Sequence, residues 1–546
     1  MKSSIEQLIP QRYFTITFFL LCWISIFLIY FPARHAMLID DGMMGLNEIK
    51  THGISGYWSS YQATCFYYGQ YALLAMLYFL CGVNTTLWLL FFSMFHALNA
   101  VLIFKVSKKI YFLFIDETLS TYISLFGCLL FLLSPYQFEN IVWAATPHYA
   151  VSLMILLIGL YFLIDYVQGI KTNINPFIYF IFFSISIATL EITFLFPLVF
   201  MALYVYLFLL QKTRVSFIHF FKTILLPQII LVLVYILLLH YFKGPWLPHD
   251  VTASEQLIPF PHLIISSAQH ILKVFAQIHF LDNPLRMNIY TLCEHWQWTL
   301  LAELTLITSC AYFSYKREKE NLYLFLLLLF ISSVLYFPEV RLFFSTLFRY
   351  DHGRYEYFGT VFLFQLLAFL LFTINRMLRI FLMLLFLSAF SINLQRAVHD
   401  KREAGLLFNH FINSYPDTGK GMTYVLNAPG YCRETLVFWY DTRFPVAYNV
   451  IKNKPIQDRY KQIMSYVSMG TNDSFEVKKV DEYSYHFQLK TNGCWLMREG
   501  QGGSDYETDD YICDVDEWGA YLVTFKHLSE TDHIFCYTKN GFVNVK

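Results

Sequence analysis

The chain has 546 residues, no formal net charge at neutral pH, and only 14% charged residues, against about 25% in soluble proteins. Hydrophobic residues make up 57% of it and aromatic residues 19%. This composition excludes an ordinary soluble enzyme, and the charge balance gives no indication of nucleic-acid binding. The apolar residues are concentrated between residues 13 and 394, in runs of about 17–22 residues, which are long enough to cross a bilayer.

The two parts of the sequence differ in composition. Residues 1–394 predict a polytopic α-helical membrane domain with about eleven transmembrane helices. Residues 395–546 are polar and carry short alternating apolar runs between turn-forming residues, which predicts a β-rich or α+β soluble domain. This second part holds four of the ten cysteines, so an oxidising compartment would permit up to two disulfides, with free thiols as the alternative: Cys432, Cys494, Cys513 and Cys536.

The basic residues next to the apolar runs indicate an orientation. Lys2 and Arg12 predict a cytoplasmic N-terminus, and the predicted spans then bring the basic clusters beside short loops to the same side. The stretch 68–83 is predicted to be an interfacial helix, and 263–281 is ambiguous. The soluble domain follows the last span on the outer side, which is the periplasm if the chain belongs to a bacterial inner membrane. The predicted spans cover about 13–31, 87–105, 119–134, 149–166, 176–190, 192–211, 223–242, 297–314, 321–337, 357–374 and 380–394.

Two adjacent acids, Asp40 and Asp41, follow the first predicted span. Carboxylates this close to hydrocarbon cost free energy unless they have a partner or a task. Further charged residues are predicted at the same outer boundary, which indicates a site there, although helix ends ordinarily carry charges. They are Glu139, Glu191, Glu339, Asp351, Glu356, Arg34, His148, Arg286, Arg341, Arg349, His352 and Arg354.

Five elements of the sequence, taken in chain order, resemble one superfamily. They are the acid pair Asp40-Asp41, a His-x-x-Asn element at His96 and Asn99, an element with Pro135, Glu139 and Trp143, an element with Glu191 and Pro197, and an Arg-Tyr-x-Tyr element at Arg354, Tyr355 and Tyr357. Their order is similar to that of the C-type (GT-C) membrane glycosyltransferases, which include protein O-mannosyltransferases, aminoarabinose transferases of lipid A and TMTC-type mannosyltransferases. A lysine usual in the fourth element is replaced by Leu190, and residues 395–546 show no such resemblance.

The resemblance implies transfer of a sugar from a polyprenyl-phosphate carrier to a glycan, lipid or protein acceptor on the non-cytoplasmic face. A carboxylate would take the acceptor's proton, cations would stabilise the leaving phosphate, and one carboxylate suffices for inversion. The candidate catalytic residues are Asp40, Asp41 and Glu139, with no choice between the two aspartates. The candidate phosphate-binding residues are Arg354, Arg349, His352 and Tyr355, and Glu191 and His148 are candidates for the acceptor network.

Several alternatives stay open. Glu139 and Glu191 also suit helix caps, and Arg354 also suits anchoring at the membrane interface. The resemblance leaves open whether Mg²⁺ or Mn²⁺ is needed, with Asp41 and Glu139 as candidate ligands. A transporter or flippase for a lipid-linked glycan is one alternative function, but it should show internal repeats, and the sequence has no pair of comparable halves. An O-antigen ligase or polymerase is another, which would share the lipid donor and rely on arginines and a histidine in the long loop 242–296.

Overall fold

The chain is mostly helical up to residue 414 and contains a β-sheet region after it. The computed structural model describes residues 11–60, 66, 68–170, 176–244, 246, 259–342, 354, 356–433, 435–438, 441–468, 473–490, 496–498, 501–502, 505–516 and 519–546. The helices are α1 (Gln11–Tyr30), α2 (Asp41–Ser60), α3 (Tyr68–Cys81), α4 (Thr85–Tyr111), α5 (Glu117–Leu133), α6 (Glu139–Val142), α7 (Pro147–Val167), α8 (Pro176–Ile187), α9 (Phe196–Leu209), α10 (Phe217–Phe220), α11 (Leu226–Lys243), α12 (Phe260–Ile271), α13 (Asn283–Glu294), α14 (Trp296–Arg317), α15 (Lys319–Leu342), α16 (Gly359–Phe372), α17 (Arg376–Ser414) and α18 (Arg443–Lys452).

Local sequence explains where several of these helices begin. The Asn84 side chain accepts hydrogen bonds from the backbone N–H groups of Thr86 and Leu87, and Asp116 caps α5 in the same way. Pro147 stands in the first turn of α7, where its missing N–H costs nothing. Pro135 follows Ser134, the C-cap residue of α5, and the helical axis bends by 56° between α5 and the segment Pro135–Val142.

Within the described residues, seven helical segments are long and apolar enough to cross a membrane, or eight if the bent pair of α5 and Pro135–Val142 forms one span. A polytopic membrane protein is therefore the class that the structure supports. The seven segments are Tyr13–Ala36, Thr85–Tyr111, Pro147–Val167, Glu191–Leu209, Phe217–Lys243, Lys319–Phe337 and Arg376–Ser414.

The predicted count of about eleven spans is not confirmed. All eleven predicted segments overlap helices, but α8 has 12 residues and α16 has 14, so they extend only about 18 Å and 21 Å against about 30 Å of hydrocarbon. The 22-residue α14 is long enough, yet it is not among the segments that are apolar enough. The stretch predicted as an interfacial helix forms α3, which has 14 residues and is also too short to cross.

The β-sheet region contains twelve described strands in two sheets. The first has the order β12-β11-β1-β3-β6-β7, with β2 beside β1, and the second has the order β4-β5-β10-β9-β8. Strand β1 is buried along its whole length and runs parallel to both β3 and β11. The strands are β1 (Thr423–Cys432), β2 (Thr435–Leu436), β3 (Tyr460–Ser468), β4 (Phe475–Lys479), β5 (Ser484–Leu489), β6 (Leu496–Arg498), β7 (Gln501–Gly502), β8 (Tyr506–Glu507), β9 (Tyr511–Asp516), β10 (Ala520–Phe525), β11 (His533–Thr538) and β12 (Gly541–Asn544).

The sequence leaves both disulfides and free thiols possible, and no disulfide joins the described cysteines of the sheet region, Cys432, Cys513 and Cys536. Cys432 and Cys536 are free and buried, and burial raises the pKa of each thiol to about 12. Cys494 lies outside the described residues. The two thiols therefore behave as small core side chains.

Helix α17 joins the membrane part to the sheet region. It has 39 residues and continues through position 395, where the sequence predicts the domain boundary. At Gly405 it passes close to the 3-10 turn Phe31–Ala36 that follows α1: a Cβ on Gly405 would lie 2.8 Å from the backbone nitrogen of Ala36. Beyond this crossing, Phe411 packs against Phe438 and Phe444 with ring centroids about 5 Å apart.

Candidate functional site

The acid pair lies in a tight turn directly after the first span. Asp40 has φ +56°, a left-handed conformation that aspartate tolerates better than most residues. Its carbonyl accepts a hydrogen bond from the backbone N–H of Met43, and Asp41 begins α2. The side chain of Asp40 is 8% exposed whereas that of Asp41 is 49% exposed. The turn therefore separates two neighbouring carboxylates into a buried one and a half-exposed one.

A second segment, from Glu139 to Ala144, packs against this turn. The backbone N–H of Ala144 donates to the carbonyl of Met37 over 2.7 Å, and the indole Nε1 of Trp143 donates to the carbonyl of Ile39 over 3.2 Å. The segment that follows the first predicted span and the segment that precedes α7 are thus hydrogen-bonded to each other, immediately before the acid pair.

Arg354 contacts the second segment at two points. Its guanidinium carbon lies 4.8 Å from the centre of the Trp143 ring, and its Nη1 lies 3.3 Å from Oε1 of Glu139. The backbone N–H of Arg354 donates to Oε2 of the same carboxylate over 3.1 Å. Glu139 is buried, and a buried carboxylate without a partner costs free energy. Arg354 supplies that partner. A phosphate ligand of Arg354 would share the guanidinium with Glu139.

Arg443 from α18 contacts both members of the acid pair. Its Nε lies 2.9 Å from Oδ1 of Asp40, and its Nη2 lies 3.1 Å from Oδ1 of Asp41. The Arg443 side chain is 17% exposed. The sheet region therefore contributes a cation to a turn that precedes it by about 400 residues.

The charges around Asp40 set its proton affinity. Burial, followed by the negative charge of Asp41, raises the pKa of Asp40 to about 7, and the positive charges of Arg443 and Arg354 oppose this rise. Arg354 is therefore electrostatically coupled to the acid pair as well as paired with Glu139. A carboxyl with this pKa exchanges its proton near neutral pH.

A second ion pair lies next to the Arg354 segment. Nζ of Lys273 is 2.5 Å from Oε1 of Glu356, and both side chains are almost completely buried. Lys273 also lies 5.2 Å from the ring centre of Tyr136, in the bent segment after α5. Burial raises the pKa of Glu356, with the Lys273 charge opposing and the Glu139 charge reinforcing the rise. The Arg354–Glu139 pair and the Lys273–Glu356 pair are thus electrostatically coupled, and together with the acid pair and Arg443 they are called the charged group.

Tyr357 connects two elements that the resemblance singled out. Its hydroxyl lies 2.9 Å from Nδ1 of His96 and accepts a hydrogen bond from Nδ2 of Asn99 over 3.2 Å. Nδ2 of Asn99 also donates to the carbonyl of Ala150. His96 and Asn99 on α4 therefore fix the position of the segment that carries Arg354, so their role is structural.

The remaining predicted site residues are placed as follows. His148 is buried in the first turn of α7, with its ring 4.6 Å from that of Tyr149. Glu191 begins the 3-10 turn Glu191–Leu195 that precedes α9. The roles of His148 and Glu191 in an acceptor network stay predictions. The predicted phosphate-binding residues Arg349, His352 and Tyr355 lie outside the described residues.

An apolar crevice of about 240 Å³ runs between α7, α8 and α9. At its rim Phe162, Ile178 and Phe182 are exposed. Phe196 lines it and lies 6.3 Å, ring to ring, from Phe358, two residues beyond Glu356. The contact between Phe196 and Phe358 therefore connects this apolar crevice to the segment that carries Glu356.

The described residues do not fit a metal site. Among them there is no group of three or more His, Cys, Asp or Glu side chains arranged to hold an ion. The predicted ligands Asp41 and Glu139 are engaged by Arg443 and Arg354.

Sequence reasoning missed two cations of this group, Arg443 and Lys273. Arg443 stands in the stretch YDTRFPVAY, where one acid and one arginine are ordinary for a soluble domain. The signal for Lys273 was present: it is a basic residue within the ambiguous apolar stretch 263–281, and a lysine there needs a buried acid as its partner.

Comparisons with known proteins do not assign a family. The chain matches no protein-family profile, and no curated protein matches its sequence significantly.

Proposed function

We propose that the chain is a membrane glycosyltransferase of the GT-C type, which transfers a sugar from a polyprenyl-phosphate carrier to a glycan, lipid or protein acceptor outside the cytoplasm. The observation that carries this proposal is the coupling of the acid pair to Arg354. Trp143 donates to the turn before Asp40, and its ring lies against the guanidinium of Arg354, so Trp143 links the acid pair to a cation.

In the proposed reaction the acceptor hydroxyl attacks the anomeric carbon of the carried sugar. The bond between that carbon and the phosphate oxygen breaks, and the phosphate leaves with the electron pair. The acceptor proton passes to the acid pair. Asp40, with a pKa of about 7, is the member with the suitable proton affinity, and Asp41 is the member more accessible to an acceptor. Displacement by a single carboxylate-assisted attack inverts the anomeric centre.

Arg354 would stabilise the phosphate as its negative charge develops. The apolar crevice beside Phe196 would hold the first part of the polyprenyl tail, since it lies between helices with exposed apolar residues. In a lipid-linked donor the phosphate lies between the tail and the sugar, and both assignments agree with that order. The eleven-span GT-C topology and the bacterial inner membrane belong to the same proposal.

The test uses the full chain in lipid nanodiscs and a panel of polyprenyl-phosphate sugars, with release of polyprenyl phosphate and donor binding measured separately. The double variant Asp40→Asn/Asp41→Asn is expected to lose turnover and to retain donor binding. Arg354→Gln is expected to weaken donor binding. Asp116→Asn is the matched control, because asparagine also caps a helix and this cap lies far along the chain from the acid pair.

Wild-type turnover in the double variant would contradict the proposal. A transporter of a lipid-linked glycan would bind the same lipids but release no polyprenyl phosphate in any variant.

A further inference from the structure

The first step of the inference is the geometry at the acid pair. Two different nitrogens of Arg443, Nε and Nη2, contact one oxygen each of Asp40 and Asp41. One guanidinium therefore forms an ion pair with each carboxylate through a different nitrogen, and its positive charge lies between the two negative charges. A lysine has a single charged nitrogen and could not reach the two carboxylates through separate atoms.

The second step is the rigidity of the arginine's support. Arg443 is the first residue of α18, and the next residue, Phe444, is fully buried. The Phe444 ring lies 4.9 Å from Phe411 of α17 and 4.8 Å from Tyr460 of β3. The backbone of Arg443 is therefore held by the aromatic core of the sheet region, so the guanidinium is presented from a packed element.

The third step is the contact between α18 and α2. Nδ2 of Asn449 donates to Oδ1 of Asn47 over 3.2 Å, and Nζ of Lys50 donates to the carbonyl of Asn449 over 3.1 Å. These neutral and charge-assisted hydrogen bonds lie along the helices, away from the acid pair. Docking of the sheet region on the membrane part therefore does not depend on Arg443 alone.

The fourth step is the charge problem that Arg443 resolves. Two neighbouring carboxylates repel each other, and the buried one loses hydration. Without a cation, the half-exposed Asp41 side chain would turn toward water and away from Asp40. Arg443 prevents this because it holds the exposed and the buried carboxylate in one arrangement.

We propose that Arg443 is a positioning residue for the acid pair, and that the sheet region is thereby an integral part of the candidate site. The inference rests on the proposed function for its catalytic meaning, while the positioning itself can be measured without turnover. Arg443 acts through Asp40 and Asp41, so its loss should lower kcat and leave the KM for the lipid donor nearly unchanged.

The variants are Arg443→Gln and Arg443→Lys, with Arg433→Gln as the matched control. Arg433 is also an arginine of the sheet region paired with an acid, Asp400, but it does not contact the acid pair. The first readout is labelling of the peptide that contains Asp40 and Asp41 by a water-soluble carbodiimide and an amine, followed by mass spectrometry. The second is thiol cross-linking of Asn47→Cys with Asn449→Cys by a short bismaleimide, which reports docking. The third is the dependence of turnover on donor concentration.

The expected result is several-fold faster labelling in Arg443→Gln, an intermediate rate in Arg443→Lys, and the wild-type rate in Arg433→Gln. The cross-linking yield should stay at the wild-type value, and kcat should fall about 100-fold, as for a misplaced catalytic group. Unchanged labelling, or an equal rise in the control, would overturn the proposal. So would a collapse of the cross-linking yield, because the arginine would then serve docking alone.

If labelling changes as expected but the Asp40→Asn/Asp41→Asn variant turns over like the wild type, the proposed function fails. The catalytic role of the positioning then fails as well. The changed labelling would still show that Arg443 positions the acid pair, so the proposed function would be the inference that was wrong.

Discussion

Lys273 and Glu356 form an ion pair from which solvent is almost completely excluded, with Nζ and Oε1 2.5 Å apart. Lys273 lies in a π-helical stretch, Leu272–Ala276, directly after α12, and Glu356 lies two residues after Arg354. The pair therefore ties the segment between α11 and α14 to the segment that carries the candidate phosphate ligand.

Replacing Lys273 by Met should destabilise the protein strongly. Glu356 would remain buried with its partner removed, which costs about 3–5 kcal/mol. The double variant Lys273→Met/Glu356→Leu should recover most of this loss, because no uncompensated charge is left. The thermal unfolding midpoint in nanodiscs measures both effects.

The control for this prediction is Lys108→Met. Lys108 and Glu117 also form an ion pair, but their side chains are 19% and 40% exposed, so its loss should cost less than about 1 kcal/mol. If Lys273→Met and Lys108→Met lost the same amount of stability, burial would not make the Lys273 ion pair more important than the exposed one.

The rate of transfer should depend on pH through Asp40. Because the pKa of Asp40 is raised to about 7 in the ligand-free protein, kcat/KM should fall as the pH drops below about 7 and the carboxylate takes up a proton. In Asp41→Asn one negative neighbour is removed, so the pKa of Asp40 should decrease and the acidic limb of the profile should move to lower pH. A limb that stays in place, or moves to higher pH, would exclude Asp40 as the titrating base.

Glu139 should weaken phosphate binding in the wild type, because it occupies donors of Arg354. Glu139→Gln removes the negative charge beside the guanidinium, and polyprenyl phosphate should then bind about tenfold more tightly, equivalent to about 1.4 kcal/mol. Isothermal titration in nanodiscs gives the dissociation constant. Glu117→Gln, which removes a carboxylate from the Lys108 pair, should leave it unchanged. Weaker binding in Glu139→Gln would mean that Glu139 holds Arg354 in its binding position.

Tyr357→Phe should lower stability with little change in packing. The ring would still contact Phe131, but His96 and Asn99 would lose the hydroxyl that they share, at a cost of about 1–3 kcal/mol. Tyr241→Phe is the control, because Tyr241 is 81% exposed. Equal unfolding midpoints for the two variants would argue against a structural role for the shared hydroxyl.

The membrane class and the sheet region were predictable from the sequence, since hydropathy and alternation report them directly. The count of about eleven spans is not confirmed, because an apolar run does not reveal how long its helix will be. Residues 357–374 and 176–190 both look long enough, but α16 begins at Gly359 and ends at Phe372, and α8 ends at Ile187. The exact helix ends depend on the turns and packing that flank each run.

At the candidate site the sequence indicated Asp40, Glu139 and Arg354 as candidates, because acids and arginines near apolar runs are conspicuous. It did not identify their partners. The pairing of Arg443 with Asp40 joins residues about 400 positions apart through the docking of α18 on α2. Such a contact is a property of the tertiary arrangement, and no local pattern in YDTRFPVAY encodes it.

The unbroken course of α17 has a mechanical consequence. An α-helix turns by about 100° for each residue, so one residue inserted between positions 394 and 400 would rotate everything beyond it by that angle and advance it by about 1.5 Å. Gly405 would then present a different side of the helix to the turn at Ala36, and Phe411 would carry Phe444 and Arg443 away with it. Inserting seven residues, nearly two full turns, would restore the angle but lift the same groups by about 10 Å. The length and the rotational position of α17 therefore determine where Arg443 lies relative to Asp40 and Asp41.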